Sequence, residues 1–191
     1  MSEQAGGWTR GDWMQTFTGR QFFPLDPRPD EIDTRDIAHA LSMICRYGGH
    51  ASRFYSVAEH CVLMSRAVAP EHALWALLHD ATEAYVGDMV RPLKRQIPHY
   101  QAIEHGVMVA ISQRFGVVPE MPPEVKDADN RILLDERAVV LTTPPASWHQ
   151  DGMKPLGVKV ECLPPHRAEY EYRRRLDELL ATTPEPAQET P

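Results

Sequence analysis

The chain has 191 residues, of which 42% are hydrophobic and 25% charged, and its formal net charge is −7. This length and apolar fraction predict one globular domain with a full-sized core, and they exclude a disordered or collagen-like chain. The negative charge argues against a binder of polymeric nucleic acid, whose contact face is usually basic, and the short apolar runs argue against a membrane span.

Residues 1–30 are polar and contain several prolines and glycines, and they are predicted to form an N-terminal addition to the domain. The stretch WMQTFTGRQFFPL alternates loosely in polarity around Thr18-Gly19, which predicts a small β-hairpin. An extended arm is the alternative. Regular structure should end at the prolines that follow, which are Pro24, Pro27 and Pro29.

From Ile32 onward, apolar residues recur at spacings of three and four, which is typical of amphipathic helices. The predicted helices run from Asp33 or Thr34 to Gly48-Gly49, from a capping box at Ser56 to about Pro70, from Glu71 to about Val86, from Pro98 to Gly116, from Pro122 to Pro144, and from Pro165 to about Ala181. A short segment, 88–95, separates the third helix from the fourth. Residues 144–163 should be irregular or form at most a short extended pair. The fold class is therefore all-α, with a helical domain over 31–182 and a disordered tail over 183–191.

Four side chains that can bind a metal ion lie on three different predicted helices. His60 is on the second helix, His79 and Asp80 are adjacent on the third, and Asp129 is on the fifth. Imidazole and carboxylate groups are ligands of first-row transition metals, and helices of a bundle can bring such groups together in its core. His79 and Asp80 also follow an apolar stretch, where polar groups are costly to bury without a partner.

Each of these residues also has an ordinary structural explanation. His79 could be a hydrogen-bonded core histidine and Asp80 a charge on a helix surface. His60 could simply contact its helix neighbours, and Asp129 could be an exposed residue in the charged run KDADNR. The joint pattern, a His, a later His-Asp pair and a still later Asp on separate helices, favours metal binding.

The sequence around these four residues resembles the HD-domain metal-dependent phosphohydrolases, in particular the compact branch that includes bacterial 5′-deoxynucleotidases. The resemblance covers roughly residues 32–141, and its matching stretches are IAHALSMICRYGGH, FYSVAEHCVLMS, ALWALLHDATEAYVGDMVRPLK and KDADNRILLDE. The string HDATEAYVGDMVRPLK, followed by an Ala-Asp pair inside a helix, is the most specific to the nucleotidase branch. The resemblance implies an HD-domain helical bundle.

The resemblance also implies roles for individual side chains. The matching residues are His60, His79, Asp80 and Asp129 for the metal ligands, Glu83 beside the attacking water, Asp88 near the scissile phosphate, and Arg46 and Lys94 for holding the phosphate. The metal would be a divalent ion such as Co, Mn, Mg, Zn or Fe. Without the resemblance, Arg46 could instead compensate a helix dipole and Lys94 could be a solvated surface charge.

Two further points complete the predicted site. Tyr47 could stack on a nucleobase, although an ordinary core role is the alternative. His72 precedes His79 by two helical turns, about 10.5 Å along the axis, which is too far for a shared ion. His99 and His105 fall in no recognisable motif. The predicted site therefore holds one metal ion, with two ions as the alternative.

The resulting functional prediction is a cytoplasmic enzyme that hydrolyses phosphate esters of (deoxy)nucleotides. Its leading form is a 5′-nucleotidase that releases phosphate from nucleoside monophosphates. The first alternative is a (deoxy)nucleoside triphosphate hydrolase that releases triphosphate or pyrophosphate, including purine-selective enzymes like those of some phages. Hydrolysis of cyclic nucleotides or guanosine tetraphosphate is less favoured, because the GDMVRPLK stretch differs from those branches. A non-catalytic helical regulatory or assembly protein is the alternative from another class.

The expected partners follow from the same features. We expect a small-molecule nucleotide as substrate, no polymeric nucleic acid, no membrane, and a homo-oligomer of two or more copies. The cytoplasmic location is inferred from the lack of a signal-like apolar stretch near the first residues and from three widely separated cysteines. These are Cys45, Cys61 and Cys162.

Overall fold

The structure is a computed structural model that describes residues 10–148, 150 and 152–182. This part of the chain is mostly α-helical, as predicted, with one two-stranded sheet. The elements are β1 (Met14–Gln15), β2 (Gln21–Phe22), α1 (Thr34–Met43), α2 (Val57–Ala67), α3 (Ala73–Leu78), α4 (Glu83–Val86), α5 (Arg91–Lys94), α6 (Pro98–Phe115), α7 (Pro123–Val140) and α8 (Pro165–Thr182). The predicted disordered tail, 183–191, lies outside the described residues.

The N-terminal addition is the hairpin rather than the extended arm. Strands β1 and β2 pair antiparallel, and Gly19 takes the positive φ of +81° that their connection requires. The backbone N–H and hydroxyl of Thr18 donate to the buried carboxylate of Asp36 at 2.7 and 2.9 Å. Phe22 is fully buried in the main core, where its ring stacks on Tyr85. The hairpin is thereby joined to α1 and to the helical domain.

Helix α1 ends at Met43, five residues before the predicted stop at Gly48-Gly49. Ile44 is already extended, and its carbonyl accepts from the N–H of Val57 at 3.1 Å. Cys45 then forms an isolated antiparallel bridge with the segment that precedes α2. These long-range backbone hydrogen bonds replace the helical ones, and periodicity within the segment could not reveal them.

The predicted helix from Glu71 to Val86 is interrupted, so that its middle forms a turn over 79–82 between α3 and α4. The Nδ1 atom of His79 lies 2.8 Å from the carbonyl oxygen of Ala76. In an uninterrupted α-helix that oxygen would accept from the backbone N–H of residue 80. The turn instead has tighter i→i+3 hydrogen bonds, from Ala81 to Leu78 and from Glu83 to Asp80. His79 and Asp80 therefore stand at the end of α3.

Helix α2 begins as predicted, but only half of its capping box forms. The Ser56 hydroxyl accepts from the N–H of Glu59 at 3.1 Å. The Glu59 carboxylate does not return to Ser56; it accepts from three consecutive backbone N–H groups, those of residues 161–163, at 2.7–3.0 Å. It thereby anchors the irregular connection between α7 and α8, in which the described residues form neither helix nor strand.

The core is built around α2, which packs against α1, α3, α7 and α8. Helix α8 also contacts α1 and α3, and the Tyr172 hydroxyl donates to the carbonyl of Leu77 at 2.9 Å. In the described part of the chain, no helix has the length and apolar character needed to cross a membrane. With α2 at the centre, side chains on one of its faces point toward both α3 and α7.

Candidate metal centre

The four predicted ligands converge from three elements, with His60 on α2, His79 and Asp80 at the end of α3, and Asp129 on α7. The Nε2 atom of His60 lies 3.1 Å from His79 Nε2, 3.7 Å from Asp80 Oδ2 and 3.8 Å from Asp129 Oδ1. His79 Nε2 and Asp80 Oδ2 are 3.2 Å apart. Ligands bound about 2.0–2.2 Å from one ion are separated by roughly 3–3.5 Å. His60, His79 and Asp129 each offer one ligand atom within 4.8 Å of the other two, as a metal site requires, and Asp80 lies beside both histidines.

Both imidazole rings are oriented through their second nitrogen. His60 Nδ1 lies 2.5 Å from a carboxylate oxygen of Glu136, and His79 Nδ1 faces the carbonyl of Ala76. An acceptor at Nδ1 keeps the proton there and leaves the Nε2 lone pair free. Two such lone pairs 3.1 Å apart would repel each other, so this spacing fits either a metal ion between the two Nε2 atoms or a proton on one of them. A divalent cation satisfies this arrangement.

A second grouping of possible ligands joins Cys61 to His79 and Asp80. The Cys61 sulfur lies 3.8 Å from His79 Nδ1, the nitrogen that already faces a backbone carbonyl. Burial raises the pKa of the Cys61 thiol, which disfavours the thiolate that binds metals. The grouping of His60, His79 and Asp129 with Asp80 is therefore the better candidate.

The charges of the centre favour a bound cation. Burial and the nearby Arg46 lower the pKa of His60, so its imidazole is neutral, as a ligand must be. Although burial opposes ionisation, His79 holds the pKa values of Asp80 and Asp129 below their usual range. Asp80 in turn raises the pKa of His79 against the effect of burial. The buried carboxylate of Asp129 and the partly exposed carboxylate of Asp80 thus draw positive charge to this place, from a proton or a metal ion.

A buried carboxylate on α7, Glu136, lies behind His60. Its Oε1 atom accepts from His60 Nδ1 and from the Tyr55 hydroxyl, the latter at 2.9 Å. Its Oε2 atom accepts from Arg46 Nη2 at 3.1 Å and from the Tyr47 hydroxyl. Burial opposes its ionisation, but Arg46 and His60 lower the pKa of Glu136 to about 2. The side chain is therefore a charged acceptor for four donors.

The predicted phosphate-binding residue Arg46 reaches the centre. Its Nη1 atom lies 3.5 Å from Asp80 Oδ2, and its side chain is largely buried. Next to it, Tyr47 has a left-handed backbone, with φ of +61°, and its hydroxyl binds Glu136. Tyr47 therefore has a place in the buried hydrogen-bond network, while stacking of its ring on a base stays a prediction.

Glu83 and Asp88 lie beside the centre. The Glu83 Oε2 atom is buried and has no hydrogen-bond partner among the residues that the structure describes. Burial and the charges of Asp80 and Asp88 raise the pKa of Glu83 well above its usual value. Burial also raises the pKa of Asp88, against the effect of Arg46. An unpaired buried oxygen of this kind can accept a hydrogen bond from water.

The basic residues around the centre include two that were not predicted. Lys94 forms an ion pair with Glu104, with 2.5 Å between Nζ and Oε1, so its charge is already compensated. Two other cations contact Asp129 Oδ2, namely Arg91 at 3.4 Å and Lys126 at 2.9 Å. Both are about half exposed. The phosphate-holding role of Lys94 stays a prediction, and Arg91 and Lys126 are two further cations that the sequence analysis did not identify.

Comparison with known proteins gives the family of the chain. No known protein-family model matches the sequence. The uncharacterised protein YfdR of Escherichia coli K12 is 46% identical over 125 residues, which are 65% of this chain and 70% of YfdR. The chain belongs to the YfdR family. An uncharacterised protein of Rhodobacter capsulatus is 36% identical over 126 residues, which are 61% of this chain and 64% of that protein.

In this member of the YfdR family, sequence reasoning named the four converging side chains but missed Glu136. The available signal was its spacing. Glu136 follows Asp129 by seven residues, which is two helical turns, so the two share one face of α7. The surrounding run DNRILLDER is rich in charge, and nothing in it distinguishes the one buried glutamate from its solvated neighbours.

Proposed function

We propose that this YfdR-family protein is a metal-dependent phosphohydrolase of the HD-domain type that acts on (deoxy)nucleotides. The observation that carries the proposal is the meeting of His60, His79, Asp80 and Asp129, with His79 Nε2 and a carboxylate oxygen of each aspartate 3.1–3.8 Å from His60 Nε2. When bound there, a divalent ion supplies a polarised phosphoryl oxygen and a water of lowered pKa.

The surrounding side chains supply the other requirements of phosphate ester hydrolysis. The unpaired oxygen of Glu83 accepts a hydrogen bond from the attacking water, and a carboxylate of raised pKa can take up its proton. The Arg46 guanidinium stabilises negative charge on the phosphate oxygens. Asp88 assists the leaving group or holds the sugar.

The leading substrate class is a (deoxy)nucleoside monophosphate, which would give a nucleoside and phosphate. The resemblance of HDATEAYVGDMVRPLK to the nucleotidase branch supports this choice.

A triphosphate substrate is the second candidate, and a separate observation favours it. Arg91 and Lys126 place two positive charges on the same oxygen of Asp129. If the other oxygen of Asp129 binds a metal ion, these two charges are left undercompensated at the rim of the site. They could then hold phosphate groups beyond the one that is cleaved.

A substrate panel tests the proposed function. The purified chain is assayed with deoxynucleoside mono- and triphosphates in the presence of Mn²⁺, Co²⁺ or Mg²⁺, and its bound metal is measured. Phosphate release from monophosphates supports the leading form, and triphosphate or pyrophosphate release supports the second. No turnover of any nucleotide, together with no retained metal, would contradict an enzymatic function and favour a regulatory or assembly role.

Variants of the rim cations separate the two substrate classes. If triphosphates are the substrates, Lys126→Ala and Arg91→Ala lower kcat/KM for the triphosphate much more than for the monophosphate. The matched control is Lys159→Ala, because Lys159 is also a lysine paired with one carboxylate but is 85% exposed and contacts no residue of the centre. Equal losses on both substrates would contradict a role in binding the additional phosphates.

A further inference from the structure

We infer that Glu136 is a positioning residue of the metal centre, which fixes the tautomer and orientation of His60 while Arg46 fixes Glu136. The inference rests on the proposed metal site and assigns a function to a residue that touches neither the metal nor the substrate.

The first support is that each of the two carboxylate oxygens of Glu136 accepts from its own pair of donors. The oxygen that faces α2 accepts from His60 Nδ1 and the Tyr55 hydroxyl. The other accepts from Arg46 and the Tyr47 hydroxyl. A carboxylate offers about four lone-pair directions, so four donors satisfy it completely. The proton of His60 therefore stays on Nδ1, and its Nε2 lone pair is available to the centre.

The second support is what each partner is able to do. A guanidinium has donors only, so the group facing Arg46 must be an acceptor. A tyrosine hydroxyl can donate or accept, and a neutral imidazole can move its proton from one nitrogen to the other. Arg46 is therefore the partner that cannot adapt, and His60 is the one whose state depends on Glu136.

This asymmetry predicts the effect of an isosteric change. In Glu136→Gln the amide oxygen must face Arg46, which turns the amide N–H₂ toward His60. His60 Nδ1 then becomes an acceptor and its proton moves to Nε2, the atom that would bind the metal. The variant keeps the volume and the polar contacts of the side chain but removes one ligand.

The matched control is Asp36→Asn. Asp36 is also buried and accepts two hydrogen bonds, both from Thr18, but it lies on α1 and contacts no residue of the centre. Any loss of Co²⁺ affinity in Asp36→Asn measures the general effect of neutralising a buried carboxylate. A merely structural role for Glu136 would give both variants the same metal affinity.

The first measurement is Co²⁺ binding to the full chain, followed by the visible absorption of the bound ion. We expect Glu136→Gln to bind Co²⁺ about 10–100-fold more weakly than the wild type, which is the usual effect of losing such a partner. Asp36→Asn should bind it with unchanged affinity. A folded Glu136→Gln protein with wild-type Co²⁺ affinity would overturn the inference.

The second measurement reads the tautomer directly without metal, and its wild-type part remains decisive even if the variant does not fold. In ¹H–¹⁵N spectra of the wild type with ¹⁵N-labelled histidine, His60 should carry its proton on Nδ1, and in Glu136→Gln on Nε2. A wild-type proton on Nε2 would overturn the inference. If the wild type bound no Co²⁺ but showed the expected tautomer, the proposed function would fail while the action of Glu136 on His60 would stand.

Discussion

At the scale of the residue, the four proposed ligands each have a close polar partner within the centre. The Nδ1 atoms of His60 and His79 face acceptors, both Nε2 atoms face the Asp80 carboxylate, and His60 Nε2 also faces Asp129. Burying such groups without a charge partner is costly, and the cluster that they form could hold a metal ion. Glu83 differs from the others, because its buried oxygen has no partner among the described residues.

Two alanine variants separate metal binding from chemistry. Asp80→Ala removes a carboxylate directed at the centre and should lose both the bound metal and the activity. Glu83→Ala should keep the metal but lose turnover by a factor of about 10²–10⁴, the usual contribution of a proton acceptor. Metal content per chain and turnover number are the two measurements. An unchanged turnover number in Glu83→Ala would refute the role of Glu83.

At the scale of the element, helix ends depend on single side chains and backbone angles. The Asp33 carboxylate caps α1 by accepting from the N–H of Arg35 at 2.9 Å, and it also pairs with the Arg35 guanidinium. Gly116 ends α6 in the left-handed conformation, with φ of +67°. The contribution of each feature to stability can be tested by a single substitution.

The acid sensitivity of the α1 cap is the first such test. The hydrogen bond from the Arg35 side chain lowers the pKa of Asp33 from 3.8 to about 2. A lowered folded-state pKa means that the charge stabilises the protein above pH 3.8 and that this contribution is lost as the pH falls through about 2. Asp33→Asn keeps a capping oxygen but has no charge. The wild type should therefore be more stable at neutral pH, and the difference should vanish toward pH 2.

Urea unfolding of both proteins across this pH range measures the effect. The control is Asp33→Ala, which also removes the cap and should cost about 0.5–2 kcal/mol at neutral pH. A difference between wild type and Asp33→Asn that stays constant down to the lowest pH would contradict the assigned cause.

The two glycines of α6 should respond to alanine with opposite signs. Gly116 has a positive φ, so Gly116→Ala should destabilise the protein by about 1–2 kcal/mol. Gly106 lies inside the helix, and a Cβ atom there would meet nothing within 4 Å, so Gly106→Ala should stabilise it by about 0.5–1 kcal/mol. Denaturant midpoints measure both. If both variants changed the free energy of unfolding in the same direction, side-chain packing and not backbone conformation would determine the effect at one of the two positions.

At the scale of the whole molecule, the proposed ligands tie together segments that are distant in the chain. Helix α2, the end of α3 and α7 each contribute at least one of them. An ion bound to all three would therefore bind the folded state only, and its binding free energy would add to the stability of the fold.

Metal binding should consequently raise the melting temperature. At a free Co²⁺ concentration of 100 times the Kd, the gain in unfolding free energy is about 2.7 kcal/mol. Differential scanning calorimetry with and without Co²⁺ measures it, and a chelator should reverse it. Asp36→Asn should keep the shift, whereas Asp129→Ala should lose it. A full shift in Asp129→Ala would show that Co²⁺ stabilises the fold from another site.

Features that depend on local chemistry could be predicted from the amino-acid sequence. Apolar periodicity and end signals gave the long helices, including α6 from Pro98 to the Gly116 cap and the start of α2 at Ser56. The residue types and their order gave the four side chains that the structure brings together. These features depend on residues that are close together in the chain, so the pattern of residues along the sequence predicts them.

Tertiary structure decided the rest, because the competing partners come from elsewhere in the chain. Helix α1 stops early since the segment before α2 offers better hydrogen bonds to its backbone, and Glu59 leaves its capping box for the backbone at 161–163. Lys94 forms an ion pair with Glu104, and Glu136 faces the Nδ1 atom of His60. Which of many similar charges is buried, and beside which donor, is fixed only when the helices pack.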